Sequence, residues 1–479
     1  MKKVKAFVIK NAANDLVSNQ ADKYAEMSIK YFEPPYDLEQ LQQMPQYSDI
    51  LLQCIGAYQQ NIVGFGIDLI KTSEEDDEAQ LNQAKEFFDT CSAHDSFIGI
   101  MKKIIGDRER TGNAYLEVVR DLSGKIAGFY YAPAHTFRVG ELSKEYIEVT
   151  IGGKTFRRKF NKYIQVVNGE PIYFKEFGDP RSMDKFTGEY KKTSTPASEI
   201  IHFKLDLDPT TPYGIPRYIG NIVEILGSRK AAELNYNYFL NGKHIPAAIV
   251  VQGGYLTQTS LDLLQGYVDD LKGTDNAFKY MVLEAEPEEE NPLSKEKASN
   301  VKIDIKPLTE TLQSDALFMN YNKVNRDKIR SAFRLPPLLT GESSDYNRAT
   351  AETAYKYADE QVFQPERREL ERVFNQMLKM EGITAYEMKF KSYDLSDPSE
   401  KVKALETFVT AGAATPNIAT DIMSEYFGKK YEKFSQPWGD LPSNILAILA
   451  NGGYVGTAEK FSKMLEEVKN ALRQEEDRP

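Results

Sequence analysis

Hydrophobic positions along the chain fall into blocks of two different periods. In "YSDILLQCIGAYQQNIVGFG", Leu51, Ile55, Tyr58 and Ile62 recur at helical spacing, and the closing glycines suit a C-cap. "TSEEDDEAQLNQAKEFFDTC" predicts a second helix, with Thr72 and Ser73 as N-caps and carboxylates in the first turn, where the helix end is positive. After "RTGN" the pattern shortens to strands: "AYLEVVRD", "GKIAGFYYAP", "EYIEVTIGG", "IQVV" and "EIIHFKLD", separated by Gly, Asn and Asp turn signals. The first two hundred residues therefore predict an α+β unit with an antiparallel sheet.

The helical period returns after "PTTPYGIPR". Ile219, Ile222, Val223, Leu226, Leu234, Tyr238 and Phe239 mark a long helix that Asn241-Gly242 ends. A small module follows, with strands "AAIVV", "KYMVLEA" and "VKIDIKPL", a helix "SLDLLQGYVDDLKG" and an acidic loop "EAEPEEENPLSKEKASN". A second long helix over "TETLQSDALFMNYNKVNRDKIRSAFR" stops at Pro336 and Pro337, which have no N–H to continue it. A polar loop, "LLTGESSDYNR", leads to a third helix from Asn347, with Ala351, Ala354, Tyr355, Ala358 and Val362 in register. Pro365 lies inside that helix, and Leu370, Val373, Phe374 and Met377 resume the pattern, so a kink is expected there. The last hundred residues alternate short helices and turns, ending in a stripe of Phe461, Met464, Leu465, Val468 and Leu472.

Length and charge narrow the class. At 479 residues the chain exceeds one ordinary core, so two to four structural units are expected. No run reaches the 18 apolar residues that a membrane helix needs, and the basic start is followed by only four apolar residues, which is not a signal-peptide pattern. Cys54 and Cys91, placed in different predicted helices, are too few for a disulfide framework and fit synthesis in a reducing cytoplasm. The net charge of −11 argues against a protein that grips nucleic acid by neutralising phosphates.

Catalytic patterns are missing. His94, His135, His202 and His244 stand in four separate segments with no HExxH or Cys pairing, so neither a metal nor a cofactor is expected. "LLTGESS" lacks the Lys of a phosphate loop, and no GxSxG or GxGxxG occurs. The densest carboxylate group, Glu284, Glu286, Glu288, Glu289 and Glu290, sits in a Pro- and Lys-punctuated loop that suits a partner-facing surface. Basic residues concentrate at Lys323, Arg326, Lys328, Arg330 and Arg334, either a solvated helix face or, on a helix lining a channel, rings of positive charge.

Several segments, in this order and across most of the chain, resemble phage portal proteins, nearest the branch with the PBSX-type and P2-type portals. They are "YFEPPYDLEQL", "TGNAYLEV", "YGIPRYI", "YFLNGKHIPAAIV", "RSAFRLPPLLTG", the helix ending "FQPERRELERVFN", and "TPNIATDIM". The resemblance implies an α+β portal fold: a wing with an antiparallel sheet (1–210), stem helices (211–245 and 308–334) with a small α/β clip (246–307) inserted between them, a tunnel loop and kinked long helix completing the wing (335–385), and a helical crown (386–479). It further implies a homo-oligomeric ring, typically of twelve subunits, at one capsid vertex of the virion, assembled in the host cytoplasm. Double-stranded DNA would pass through without sequence recognition. The loop Leu339, Thr340, Gly341, Glu342, Ser343, Ser344, Asp345, Tyr346, Asn347 and Arg348 would reach the tunnel, with Lys323, Arg326, Lys328 and Arg330 as candidate stem lining. The acidic clip residues would meet the large terminase and then the head–tail adaptor, with major capsid and scaffold proteins as further partners and no membrane. Another virion component, such as a tail or baseplate protein, is the alternative, and a DNA-processing enzyme the more distant one.

Overall fold

The computed structural model describes residues 29–72, 77–151, 154–167, 169–240, 247–252, 254–260, 262, 285–287, 302–307, 315–342, 347–393, 407–408, 414–427, 431–442 and 445–446. The chain divides into two units, Met1–Tyr393 and Asp394–Pro479.

In the first unit, a short helix α1 (Leu38–Gln43) precedes α2 (Asp49–Ile62), which buries Leu51, Ile55, Tyr58 and Ile62 as their spacing predicts. Strand β1 (Ile67–Lys71) follows, then α3 (Glu78–Asp89). The cap of α3 is Asp77, whose carboxylate accepts from Gln80 N at 3.0 Å, rather than the expected Thr72 or Ser73. An Asp so placed meets the free N–H groups of the first turn directly, so the earlier hydroxyls are not needed. Helix α4 (Phe97–Thr111) starts on the Ser96 cap and ends at Gly112, whose φ of 80° is the left-handed turn of a C-cap. Cys91 lies just beyond α3 rather than inside it; both cysteines are free and buried.

The strands are β2 (Asn113–Arg120), β3 (Ile126–Ala132), β4 (Phe137–Val139), β5 (Ile147–Ile151), β6 (Lys154–Arg158), β7 (Lys162–Val167), β8 (Glu170–Glu176) and β9 (Glu199–Lys204). Six form one sheet in the order β3-β2-β9-β8-β7-β4. Its pairs are antiparallel except β8 with β9, because the long excursion from residue 177 to 198 brings β9 back in the direction of β8. α4 covers the interior strand β2, so β2 reads as nearly continuous buried residues rather than as an alternation. β5 and β6 form a separate two-stranded ribbon. Phe88, Phe97, Phe129 and Phe374 meet in the core, with ring centroids 4.8 to 6.4 Å apart and Phe374 edge to face with each of the other three.

Helix α5 (Ile222–Leu240) follows a 3-10 turn at Ile219–Asn221. β10 (Ala247–Gln252) pairs antiparallel with β13 (Lys302–Pro307), and β11 (Gly254–Leu256) with β12 (Ala285–Pro287). Most of the helix expected from residue 260, all but the end of "KYMVLEA", and the expected cap Asn241-Gly242 lie outside the described residues. Helix α6 (Asp315–Ala332) returns antiparallel to α5: Asn325 donates to Ser228 Oγ at 2.9 Å and Lys328 pairs with Glu224 at 3.1 Å. The expected apolar positions of α5 do not share one buried face. Val223 and Leu234 are exposed in the single subunit, and so are Met319 and Val324 on α6.

α7 (Arg348–Ala358) begins on an Asn347 capping box, runs through a π-helical turn at Asp359–Phe363 and continues as α8 (Gln364–Met380), with Pro365 in the first turn of α8. The expected kink therefore takes the form of a wider turn that accommodates the proline ring and its missing N–H. β14 (Tyr386–Phe390) pairs with β1, so these residues, expected at the start of the crown, are a strand of the first unit. In the second unit, Asn417 of α9 (Pro416–Phe427) donates to Phe434 O at 3.1 Å and accepts from Phe434 N at 2.8 Å. It thereby shapes the loop that places the Phe434 ring against Trp438, tilted by 41° at 4.6 Å. The stripe from Phe461 to Leu472 lies outside the described residues.

Candidate functional site

The segments "TGN" and "YGIPR" meet where α5 leaves the sheet domain. Gly112 and Gly214 are in direct backbone contact: a Cβ on Gly214 would lie 2.0 Å from Gly112 O, so only glycine fits. Asn113 closes the joint. Its amide donates to Thr111 O and Gly214 O at 2.9 and 3.0 Å, and its Oδ1 accepts from Gly214 N at 2.7 Å. That orientation leaves Oδ1 facing His202 Nε2 at 2.9 Å, so Nε2 carries the proton of a neutral imidazole. Burial, aided by the charge of Lys204, pushes this imidazole down to about 3, and the ring stacks on Tyr115. His202 is a structural histidine.

Beside this joint lies a closed ring of four charges. Arg108 donates to Glu109 at 3.0 Å, Glu109 accepts from Arg217 at 2.9 Å, Arg217 pairs with Glu366, and Glu366 returns to Arg108 at 2.9 Å. Glu109 is fully buried and Arg108 nearly so. The ring joins α4, the lead-in to α5 and the start of α8 at the proline kink. Next to it, Tyr58 donates to Phe333 O at 2.8 Å, which fastens the end of α6 to α2. Burial first, then the neighbouring Glu109, pushes the Tyr58 phenol far above its usual range.

The end of α6 carries a second charge cluster. Arg330 has only 7% of its side chain exposed, and it bonds Glu342 at 2.6 Å and pairs with Asp327. Arg326 reaches Glu342 at 3.2 Å and Asp49 at 2.6 Å. Burial pushes the Glu342 carboxyl up, but the bonds from Arg330 and Arg326 outweigh it and hold the group below its usual value. A shallow groove beside the cluster is lined by Asn221, Val324, Asp327, Lys328, Ser331 and Ala332.

Among the residues expected to line a tunnel, the structure separates those already occupied from those still free. Arg330 is buried in the subunit and its charge is matched by Glu342 and Asp327, which counts against it as a channel-lining residue. Arg326 and Lys328 each hold a carboxylate of their own chain, while Lys323 is exposed and pairs with no described carboxylate. In the loop, Leu339 packs against the core and Thr340 is buried, its hydroxyl donating to Pro337 O at 3.0 Å. Gly341 takes a φ of 81°, Glu342 is clamped as described, Asn347 caps α7, and Arg348 pairs with Glu352 at 2.7 Å. Ser343, Ser344, Asp345 and Tyr346 lie outside the described residues, as do Glu284, Glu288, Glu289 and Glu290; Glu286 lies in β12, opposite Tyr255. Sequence reasoning missed the four-charge ring, although Arg217 and Glu366 both lie in segments it had singled out. Among the described residues no group of His, Cys, Asp and Glu is arranged to hold a metal ion, and no helix is long and apolar enough to cross a membrane.

Comparison with known proteins follows from this architecture. The family model described as "Phage portal protein" matches residues 51–419. The "Phage-like element PBSX protein XkdE" of Bacillus subtilis (strain 168) is 41% identical over 463 residues, covering 91% of this chain and 92% of the relative. The "Uncharacterized protein YqbA" of the same organism is 42% identical over 464 residues, covering 91% and 90%. Among solved structures, a chain from the neck of an empty gene transfer agent particle, computed with C6 symmetry, superposes with a TM-score of 0.53 at 16% identity. That match covers 82% of this chain and 95% of the other.

Proposed function

The chain belongs to the phage portal protein family, a structural family of head–tail connectors, and from that premise we propose that its subunits close head to tail into a ring through which double-stranded DNA is packaged and ejected. The observation that carries this reading is the α5/α6 hairpin. It is rooted in the sheet domain by the glycine joint and the four-charge ring, and the β10–β13 module is inserted between its helices. A helical pair that exposes Val223, Leu234, Met319 and Val324 in the single subunit has an apolar face to bury against neighbours.

In this reading the loop from Gly341 to Arg348 faces the channel, with Leu339 and Thr340 packed into the subunit at its root and Glu342 anchoring its first half, and Lys323 is the stem cation nearest to free. The inserted module and its acidic loop meet the packaging motor and then the head–tail adaptor. Electron microscopy of the purified protein tests the first claim: rings with a central hole are expected, and strictly monomeric particles under assembly conditions refute it. Shortening residues 343–346 tests the second. Rings should persist while packaged or retained DNA falls, and unchanged packaging removes the loop from the channel.

A further inference from the structure

The ribbon β5–β6 stands apart from the six-stranded sheet, and among the described residues no third strand joins it. Its register sorts the two faces. Glu148 opposite Arg157, paired at 2.9 Å, and Thr150 opposite Thr155 make one face polar. Val149 opposite Phe156, and Ile147 opposite Arg158, make the other face apolar with basic margins. Phe156 is 50% exposed, and Tyr146, at the ribbon's base, is 67% exposed. The base is fixed: Arg158 pairs with Glu176 of β8 and lies over the Phe160 ring at 4.3 Å. Two strands alone are marginal in water, so a ribbon anchored at its base with an uncovered apolar face gains by being covered.

We propose that this apolar face docks on the adjacent copy of the same chain, as an arm that each subunit lends to one neighbour. Charge argues for that occupant. Residues 144–159 carry five basic side chains (Lys144, Lys154, Arg157, Arg158, Lys159) against two acidic ones (Glu145, Glu148); with Arg157 matched by Glu148 and Arg158 by Glu176, Lys144, Lys154 and Lys159 stand against Glu145, on a chain whose net charge is −11. A second copy therefore carries a net charge of the opposite sign to the ribbon. Head-to-tail closure supplies the geometry, since a projecting element on one side of a subunit meets a different patch on the next at every interface. The inference rests on the ring reading above.

The experiment compares the full-length wild-type protein with Phe156→Ser/Lys154→Glu and with Leu122→Ser, a still more exposed apolar residue at the β2–β3 turn, by analytical ultracentrifugation. Wild-type and Leu122→Ser proteins should form rings, and the ribbon variant should need at least tenfold more protein to do so. Rings from the ribbon variant at wild-type concentrations overturn the arm while leaving the ring reading intact; a wild-type protein that never closes overturns both. Against the chance that the ribbon variant does not fold, Phe156→p-benzoylphenylalanine in the otherwise native chain provides a second readout. Illumination of purified protein should give a covalent pair at twice the 54.4 kDa chain mass, and its absence overturns the arm.

Discussion

Replacing Glu109 with Gln tests whether the four-charge ring holds the hairpin root. Glu109 accepts three bonds, from Arg108 Nε at 3.2 Å, from an Arg108 terminal nitrogen at 3.0 Å and from Arg217 Nε at 2.9 Å, and its side chain is fully buried. Gln preserves the shape but removes one charge from a balanced set of two arginines and two glutamates, and it turns an NH2 group toward a guanidinium that can only donate. Breaking a buried pair so that one charge is left unmatched costs about 3–5 kcal/mol. Because Arg217 and Glu366 keep 20% and 16% of their side chains exposed, water reaches that side of the ring, and the lower end, about 3 kcal/mol, is the expected loss. The assay is urea unfolding followed by far-ultraviolet circular dichroism at fixed protein concentration. The sole tryptophan, Trp438, lies in the second unit and would report the wrong part of the chain. Glu366→Gln should cost less than Glu109→Gln, and a cycle with Arg217→Met should show coupling above about 1 kcal/mol. A loss below about 1 kcal/mol for Glu109→Gln, or coupling near zero, would refute the ring as a structural joint.

The Glu342→Gln variant should lose about 1–2 kcal/mol at pH 7, since charge-assisted bonds to Arg330 and Arg326 go with it and the group is partly solvated. The carboxyl is held below its usual 4.5, so its contribution is present above that pH and fades as pH falls below it. Wild-type and variant unfolding curves should converge in acid, and a constant gap would contradict the clamp. For His202, pushed down to about 3 from 6.5, the unfolded chain binds a proton in that window that the native chain refuses, so stability falls as pH drops from 6.5 towards 3. Between pH 7 and pH 5 the loss should be about 2 kcal/mol and absent in His202→Gln, as read by urea midpoints; equal slopes would remove His202 as the cause. Gly214→Ala should destabilise the first unit by about 1–3 kcal/mol or more by calorimetry, and an unchanged midpoint would mean that the Gly112 contact relaxes freely.

Much of the fold was legible because it depends on local pattern. The face of α2, most strands and the capping of α7 by Asn347 follow from periodicity and cap chemistry. What escaped depends on pairs distant in sequence. The parallel pairing of β8 with β9 and the return of β14 to β1 leave no local trace, and the four-charge ring joins residues 108, 109, 217 and 366. Arg330 shows the same limit from the other direction. Next to Lys328 and Arg334 it reads as one more cation on a helix face, and only the return of the chain at Glu342 takes it out of solvent.

That return changes the electrostatic argument. Sequence alone shows a cationic run at the end of α6 in an acidic chain, either a solvated helix face or, on a helix lining a channel, rings of positive charge. In the structure Arg326, Lys328 and Arg330 are each matched by Asp49, Glu224, Asp327 or Glu342 of the same subunit, while Lys323 and Arg334 pair with no described carboxylate. On the proposed channel the run would present one or two cations per subunit instead of five. Since phosphate affinity rises with the number of charges neutralised, a channel so discounted holds the duplex less firmly at every step. The matched cations then act mainly within the subunit, fixing where α6 ends and where the loop begins, and the acidity of the chain becomes compatible with a duplex that has to slide.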